Sequence, residues 1–213
     1  MKKIILSFTI IVFSALLISC GKDSSESETT LKKETKTVET KQTQTPSKET
    51  SNPNTSASNL YTVEAVEKSS GKKVSPNVIW SEGGKQTSLN DLKGKVILLN
   101  FWATWCGPCI KEMPDLSSIS DEMSDKDFRM IGMNVFQQEK SAKVSDFLKS
   151  KPVSYTVLDG NQEVVDAFGE ASGNNLEAVP TTFIIDKKGN IAETIVGSRK
   201  KEDFVKIINK YLN

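Results

Sequence analysis

Apolar residues occur in short runs and at helical spacing only after an amino-terminal segment of different character. Residues 96–103 are almost continuously apolar, which is typical of a strand buried on both faces of a sheet. Two further strands are predicted over 129–136 and 153–158. Segments 182–185 and 191–196 flank Asp-Lys-Lys-Gly-Asn, a turn-forming sequence that predicts a hairpin.

Helical spacing appears between these strands. A helix is predicted from residue 108 to about residue 123, directly after the long apolar run. Apolar residues share one face in three further segments: Val144, Phe147 and Leu148; Val164, Val165 and Phe168; and Phe204, Val205, Ile207, Ile208, Tyr211 and Leu212. Ser141 and Asn161 precede the first two of these segments and are predicted to be their N-caps.

The order of these elements is strand, helix, strand, helix, strand, helix, hairpin, helix. This order predicts a layered α/β domain with a central mixed β-sheet flanked by helices. Residues 75–92 contain a Gly-Gly pair between two short extended pieces, which predicts an N-terminal β-hairpin extension. The folded domain is predicted over residues 60–213, which is long enough to bury a core.

The first twenty residues indicate export. Lys2 and Lys3 precede an apolar run over 4–18, which is short for a membrane span and fits the central region of a secretory signal peptide. The run ends in Leu-Ile-Ser-Cys, which resembles the lipobox of bacterial lipoproteins. The resemblance implies a signal peptide over 1–19 and attachment of a lipid to Cys20, which would hold the protein on a membrane surface. The alternative is an uncleaved membrane anchor.

A polar segment separates the lipobox from the domain. Of the 39 residues in 21–59, sixteen are Ser or Thr, and no apolar stripe is present. Such a segment cannot bury enough apolar surface to offset the entropy lost on ordering. Residues 20–59 are therefore predicted to be a lipidated cysteine followed by a disordered tether that lifts the domain off the membrane. The alternative is a tail without a function.

Composition excludes several kinds of chemistry. The chain has no histidine, so no mechanism that needs an imidazole is available. Three cysteines are too few for a four-thiolate zinc or iron–sulfur site, and neither a metal nor a cofactor is predicted. With 28 basic and 27 acidic residues, the charge gives no indication of nucleic-acid binding.

Cys106 and Cys109 stand at the start of the predicted helix that follows the long apolar run. Unpaired backbone N–H groups and the helix dipole favour negative charge there, which lowers the pKa of the Cys106 thiol. Cys109, one turn further in, would release a mixed disulfide formed by Cys106. Gly107 permits close approach of a partner backbone, and Pro108 occupies the first turn, where its missing N–H is harmless. The alternatives are a structural disulfide and half of a metal site.

The sequence Phe-Trp-Ala-Thr-Trp-Cys-Gly-Pro-Cys over 101–109 closely resembles the active-site segment of thioredoxins. Leu-Asn before it and Lys-Glu-Met-Pro at 111–114 are similar to the membrane-tethered TlpA/ResA branch of that superfamily. The resemblance covers about residues 75–213. It implies a thioredoxin fold and a redox-active dithiol, in which Trp105 shields and frames the nucleophile Cys106.

A second segment, Val-Pro-Thr-Thr-Phe at 179–183, also matches this family. In the family the proline that corresponds to Pro180 is cis and faces the dithiol. The resemblance implies that Val179 offers backbone hydrogen bonds to an extended substrate and that Pro180 packs on the sulfur atoms. The alternative is an ordinary proline at the start of a strand.

The sequence departs from cytosolic thioredoxins at Asn100, which stands where they carry a buried Asp near the resolving thiol. The TlpA/ResA branch instead has a Glu three residues after the resolving cysteine, which is Glu112 here. That spacing puts Glu112 on a helix face next to Cys109. We predict that Glu112 accepts a proton from Cys109 or tunes its charge. The alternative is a solvated surface glutamate.

A second departure is an insertion over residues 170–178, where relatives have a shorter turn. Because Pro180 is expected to face Cys106, the insertion is predicted to be a polar loop that overhangs the substrate groove. The functional hypothesis is that this loop shapes the choice of partner. The alternative is a harmless insertion.

Together these features predict a lipid-anchored, extracytoplasmic thiol–disulfide oxidoreductase that reduces protein disulfides, acting as a monomer. The compartment outside the membrane is oxidising, so the resemblance implies a membrane thiol donor of the CcdA or DsbD type. Among protein disulfide substrates, the resemblance includes the haem-site cysteines of apocytochrome c. Two alternatives stay open: a disulfide oxidase or isomerase, and a thioredoxin-like binding lipoprotein without catalytic turnover.

Overall fold

The computed structural model of the protein describes residues 59–213. The predicted signal peptide over 1–19, the lipidated Cys20 and all but the last residue of the predicted tether lie outside the described residues.

Eight strands form one sheet: β1 (Leu60–Glu67), β2 (Asn77–Glu82), β3 (Lys85–Ser88), β4 (Val96–Trp102), β5 (Phe128–Asn134), β6 (Thr156–Asp159), β7 (Thr181–Ile185) and β8 (Ile191–Val196). Their order across the sheet is β3-β2-β1-β6-β5-β4-β7-β8. Strands β1, β6, β5 and β4 run parallel to one another, and the remaining neighbours are antiparallel. The predicted central mixed sheet is therefore confirmed.

Helices cover both faces of this sheet. The helices are α1 (Gly107–Glu122), α2 (Val144–Ser150), α3 (Gln162–Ser172) and α4 (Lys201–Leu212), with one turn of 3-10 helix at Leu89–Leu92. All seven residues of β4 are buried, and their side chains alternate between two apolar clusters. Leu98 packs in the cluster that contains residues of α1, α2 and α4, whereas Leu99 packs in the cluster that contains residues of α3. This two-sided burial explains the nearly continuous apolar run in the sequence.

The N-terminal extension is larger than predicted. The expected hairpin is present as β2 and β3, joined by Gly83 and Gly84, which both have positive φ. In addition, β1 lies between β2 and the core strand β6 and pairs with both of them. β1 was not predicted, because Thr62, Glu64 and Glu67 interrupt its apolar residues and leave no continuous apolar run like that of β4.

The predicted N-cap of α2 is wrong. The cap is Lys143, which makes no side-chain capping hydrogen bond, while the Ser141 hydroxyl accepts a hydrogen bond from the backbone N–H of Gln138 (3.1 Å). Ser141 therefore closes a turn before the helix instead of capping it. The predicted N-cap of α3 is correct, because Asn161 Oδ1 accepts from the N–H of Val164 (3.1 Å).

Candidate active site

The two cysteines lie where the central strand passes into its helix. Strand β4 ends at Trp102, α1 begins at Gly107, and Cys106 is the N-cap residue of α1. The Cys106 and Cys109 sulfur atoms form a disulfide, and the Cys106 sulfur also accepts the N–H of Cys109 (3.2 Å). The cysteine sulfur thus takes the place that a Ser or Asp oxygen has in an ordinary N-cap.

The segment before β7 lies against this disulfide. The Val179–Pro180 peptide bond is cis, and the carbonyl oxygen of Val179 is 3.6 Å from the Cys106 sulfur. The antiparallel pairing of β7 with β4 brings these residues together although 73 positions separate them in the chain. The structure therefore places the predicted residues Val179 and Pro180 beside the dithiol, and their role in substrate binding stays a prediction.

Trp105, Gly107 and Pro108 form the surface around Cys106. The Trp105 side chain is 45% exposed, and its indole N–H donates to the carbonyl oxygen of Phe136 (2.8 Å). A side chain at Gly107 would meet no atom within 4 Å, so the space over this position is open. Pro108 lies in the first turn of α1, where a backbone N–H would have no partner in the helix.

Glu112 is buried, which contradicts the alternative of a solvated surface residue. Its Oε1 accepts the side-chain N–H of Asn100 (2.9 Å), and its Oε2 accepts the backbone N–H of Arg199 (3.3 Å). Burial raises the pKa of the Glu112 carboxyl, and these hydrogen bonds offset only part of that effect. The carboxyl therefore holds its proton to a higher pH than an ordinary glutamate.

Two residues around this carboxyl, Thr182 and Arg199, were not predicted from the sequence. Thr182 Oγ1 accepts the second hydrogen bond of the Asn100 amide (3.0 Å), and Arg199 contacts Glu112 through its backbone N–H. A backbone N–H has no sequence signature, so Arg199 could not have been found from residue type. Beside Glu112 lies an open cavity of about 350 Å³, whose lining includes Lys111, Arg199 and Lys200.

The predicted loop over 170–178 is partly wrong. Its first three residues continue α3 to Ser172, because Gly173 takes the left-handed conformation and ends the helix. The segment after Gly173 was predicted to be a polar loop, but its Leu176 is buried in the apolar cluster that contains Leu99 and residues of α3. The hypothesis that this segment shapes partner choice stays a prediction.

Among residues 59–213, no group of three or more His, Cys, Asp or Glu side chains is arranged to hold a metal ion. Within the same residues, no helix is both long and apolar enough to cross a membrane.

Residues 69–212, two thirds of the chain, match the Redoxin family model. This chain belongs to the redoxin family. Among curated redoxins, it is 33% identical over 146 residues to "Thiol-disulfide oxidoreductase ResA" of Bacillus thuringiensis (strain Al Hakam), an alignment that covers 68% of this chain and 80% of that protein. It is 34% identical over 144 residues to "Thioredoxin-like protein YneN" of Bacillus subtilis (strain 168), covering 67% and 81%.

The fold is similar to that of solved thioredoxin-family structures. A thiol:disulfide interchange protein of the thioredoxin family from Chlorobium tepidum TLS superposes with a TM-score of 0.58 at 33% identity, covering 68% of this chain and 99% of that one. The predictions of a thioredoxin fold, of a ResA-like member of the thioredoxin superfamily and of a thiol–disulfide oxidoreductase are thereby confirmed.

Proposed function

We propose that this redoxin reduces disulfides of extracytoplasmic proteins through a dithiol formed by Cys106 and Cys109. The observation that carries the proposal is the pairing of these two cysteines at the N-terminus of α1, with the Val179 carbonyl 3.6 Å from the Cys106 sulfur. A helix N-terminus stabilises a thiolate, and the segment at Val179 offers backbone groups to an extended substrate.

In the proposed reaction the reduced protein transfers two electrons. The Cys106 thiolate attacks one sulfur of the substrate disulfide, forming a mixed disulfide and releasing the other substrate sulfur as a thiolate that takes a proton. The Cys109 thiolate then attacks the Cys106 sulfur, which forms the Cys106–Cys109 disulfide and releases the second substrate thiolate. The substrate ends as a dithiol, and the protein ends in the oxidised form that the structure contains.

Glu112 has a separate role in this scheme. Cys109 must lose its proton before it can attack, and a buried carboxylate on the next turn of α1 is suited to accept that proton. Around Cys106, the exposed residues Trp105 and Pro108 and the open space above Gly107 provide a surface for the substrate. Pro180 completes that surface on the side of β7.

The reducing direction requires a source of electrons. In an oxidising compartment the dithiol must be regenerated by a thiol donor, for which a membrane protein of the CcdA or DsbD type is proposed. Lipid attachment at Cys20 would keep the domain near such a donor. The haem-site cysteines of apocytochrome c are the first substrate to test.

Two measurements test this function. Cys109→Ser should accumulate a mixed disulfide with its substrate that dithiothreitol releases, whereas Cys106→Ser should form none and should fail to reduce insulin. If Cys109→Ser traps no substrate and the unaltered protein does not reduce insulin, the proposal is contradicted and a binding protein is favoured. The midpoint potential decides the direction: a value near about −270 mV supports reduction, and one near about −120 mV supports oxidation.

A further inference from the structure

Two large apolar side chains, Trp105 and Val196, are exposed among the residues that the structure describes. Trp105 is 45% exposed and precedes Cys106 in the chain. Val196 is 60% exposed and pairs across the sheet with Thr181, the residue after Pro180. Single exposed apolar residues are common, so the surroundings of Val196 decide whether it belongs to a contact surface.

Val196 forms the rim of a groove of about 350 Å³ between the end of β8 and the segment that follows α3. Its apolar lining comes from Leu176, Ala178, Phe183 and Val196, and its polar lining comes from Ser172, Asn174, Asn175, Glu177, Thr181 and Thr194. Leu176, Thr181 and Phe183 are buried beneath it, and Glu177 is its one charged residue. Its volume lies at the lower end of the range for binding pockets, about 300–1,000 Å³, and suits one large apolar side chain.

The groove is formed before any substrate binds. The Ser172 hydroxyl lies 3.1 Å from the carbonyl oxygen of Gly169 and 3.2 Å from that of Asn174, and the Thr181 hydroxyl donates to the carbonyl of Ala178 (2.8 Å). Gly169 lets the segment lie directly on α3, because a Cβ there would be only 3.3 Å from the backbone nitrogen of Leu176. A wall held in this way loses little conformational entropy on binding.

The groove lies next to the cis Val179–Pro180 bond, because residues on both sides of that bond line it. Ala178 and Thr181 flank the cis bond, whose residue Val179 reaches within 3.6 Å of the Cys106 sulfur. At the groove's other side, the backbone N–H of Gly197 donates to the carbonyl of Pro180 (2.8 Å) and ties the end of β8 to this segment. Thr181 in the groove wall follows Val179 by two positions in the chain. An extended substrate advances about 3.3 Å per residue, so a residue two or three positions from a cysteine bound at Cys106 spans a comparable length.

We propose that this groove is a specificity subsite that binds a large apolar side chain located two or three residues from the reacting cysteine of a substrate protein. The inference rests on the proposed function and names its substrate class: extended segments that carry a cysteine with an apolar neighbour. Glu177 at the groove disfavours an acidic residue at the same position, because two carboxylates would repel each other.

The test uses the full-length, pre-reduced protein and oxidised peptide dimers. Each peptide carries one cysteine and either Leu or Ser, placed two or three residues before or after it. For at least one placement the second-order rate constant should be about tenfold or more higher for Leu than for Ser, since an apolar contact of this size discriminates by about 10–200-fold. A small disulfide without a peptide measures the intrinsic reactivity of the dithiol.

Two variants locate the effect. Val196→Glu should bring the Leu-to-Ser ratio, normalised to the rate with the small disulfide, close to one. Ala192→Glu adds the same charge to β8 at a residue outside the groove and should keep the ratio of the unaltered protein. Thermal unfolding of both variants checks that the fold is retained.

Failure of the subsite and failure of the function give different results. Equal reduction of Leu and Ser peptides by the unaltered protein would overturn the subsite and leave the reductase intact. Retention of the ratio in Val196→Glu, or an equal loss with peptide and small disulfide, would also overturn it. If the unaltered protein reduces neither peptides nor the small disulfide, the proposed function and the subsite both fail.

Discussion

Glu112 shows how a single carboxyl can be accommodated inside the domain. Its two oxygens each accept one hydrogen bond, from the Asn100 amide and from the backbone N–H of Arg199. A neutral, protonated carboxyl is easier to bury than a carboxylate, which is why its pKa is raised. The folded protein therefore binds this proton more tightly than the unfolded chain.

The raised pKa of Glu112 predicts a pH-dependent effect of Glu112→Gln on stability. The pKa of Glu112 in the folded protein lies above the ordinary value of 4.5. The stability that Glu112 contributes through this raised pKa is therefore fully present below pH 4.5 and is lost as pH rises through the folded-state pKa. A Gln can accept from only one of the two donors, which costs about 1–3 kcal/mol. The stability difference between the two proteins should therefore be larger at pH 5 than at pH 8 in urea unfolding.

Glu122→Gln is the matched control on the same helix. The pKa of Glu122 is lowered by its hydrogen bond to Lys201, so the carboxylate is ionised in both states above pH 5 and the effect of this variant should not change between pH 5 and 8. If the stability difference between the unaltered protein and Glu112→Gln were also the same at pH 5 and pH 8, the raised pKa of Glu112 would be contradicted. An unchanged titration of the Cys109 thiol in Glu112→Gln would contradict its proposed catalytic role.

At the level of secondary-structure elements, the helix N-termini divide into two kinds. The α1 and α3 helices begin with side-chain caps, the sulfur of Cys106 and the amide oxygen of Asn161. The N-cap residues of α2 and α4 are Lys143 and Lys200, which make no side-chain capping hydrogen bond. The capped helices are those that flank the segments around Cys106 and Pro180.

Asn161→Ala should lower the free energy of unfolding by about 1 kcal/mol, because it removes the acceptor for the Val164 N–H at the first turn of α3. Ser141→Ala is the comparison, since Ser141 precedes a helix in the same way but does not cap it. That variant should change stability by less than about 0.5 kcal/mol. Equal effects of the two changes would contradict the assignment of the caps.

The sequence predicted elements best where burial on both sides imposes a continuous apolar run, as in β4. It failed where hydrogen bonding decides the structure: β1 is held by two neighbouring strands, although only one of its residues is buried. At the candidate site, the cysteine motif and the Val-Pro pair predicted the two segments that the structure brings together, Cys106–Cys109 and Val179–Pro180. The partner of Glu112 at Arg199 was not predictable, because any residue type supplies the same backbone N–H.

At the scale of the whole molecule, the half-buried ion pair of Glu82 and Arg129 connects the N-terminal extension to the core. Arg129 on β5 donates to both carboxylate oxygens of Glu82 on β2 (2.9 and 3.1 Å) and to the hydroxyl of Thr156 on β6 (2.6 Å). The indole N–H of Trp80 donates to the same carboxylate (3.1 Å). The pair spans two strands, β1 and β6, which lie between β2 and β5 in the sheet.

A double-mutant cycle of Glu82→Gln and Arg129→Gln should give a coupling energy of about 0.5–1 kcal/mol that decreases with salt. The side chains of Lys68 and Glu170 are about 70% exposed and pair at 3.4 Å, so the same cycle there should give a coupling near zero. Similar couplings for both pairs would contradict a special role of Glu82 and Arg129. Reduction of insulin should be unchanged in Glu82→Gln and Arg129→Gln, since Arg129 pairs with Ile97 near the start of β4 and the dithiol follows the end of that strand.

The exposure of Trp105 has an optical consequence. The chain has three tryptophans, and Trp80 and Trp102 are buried while Trp105 alone is open to solvent. A water-soluble quencher therefore reaches the emission of Trp105 selectively, and that indole stands next to the sulfur that reacts. The protein thus carries a built-in fluorescent reporter for the occupancy of its own site, and no label has to be attached to follow a partner as it binds.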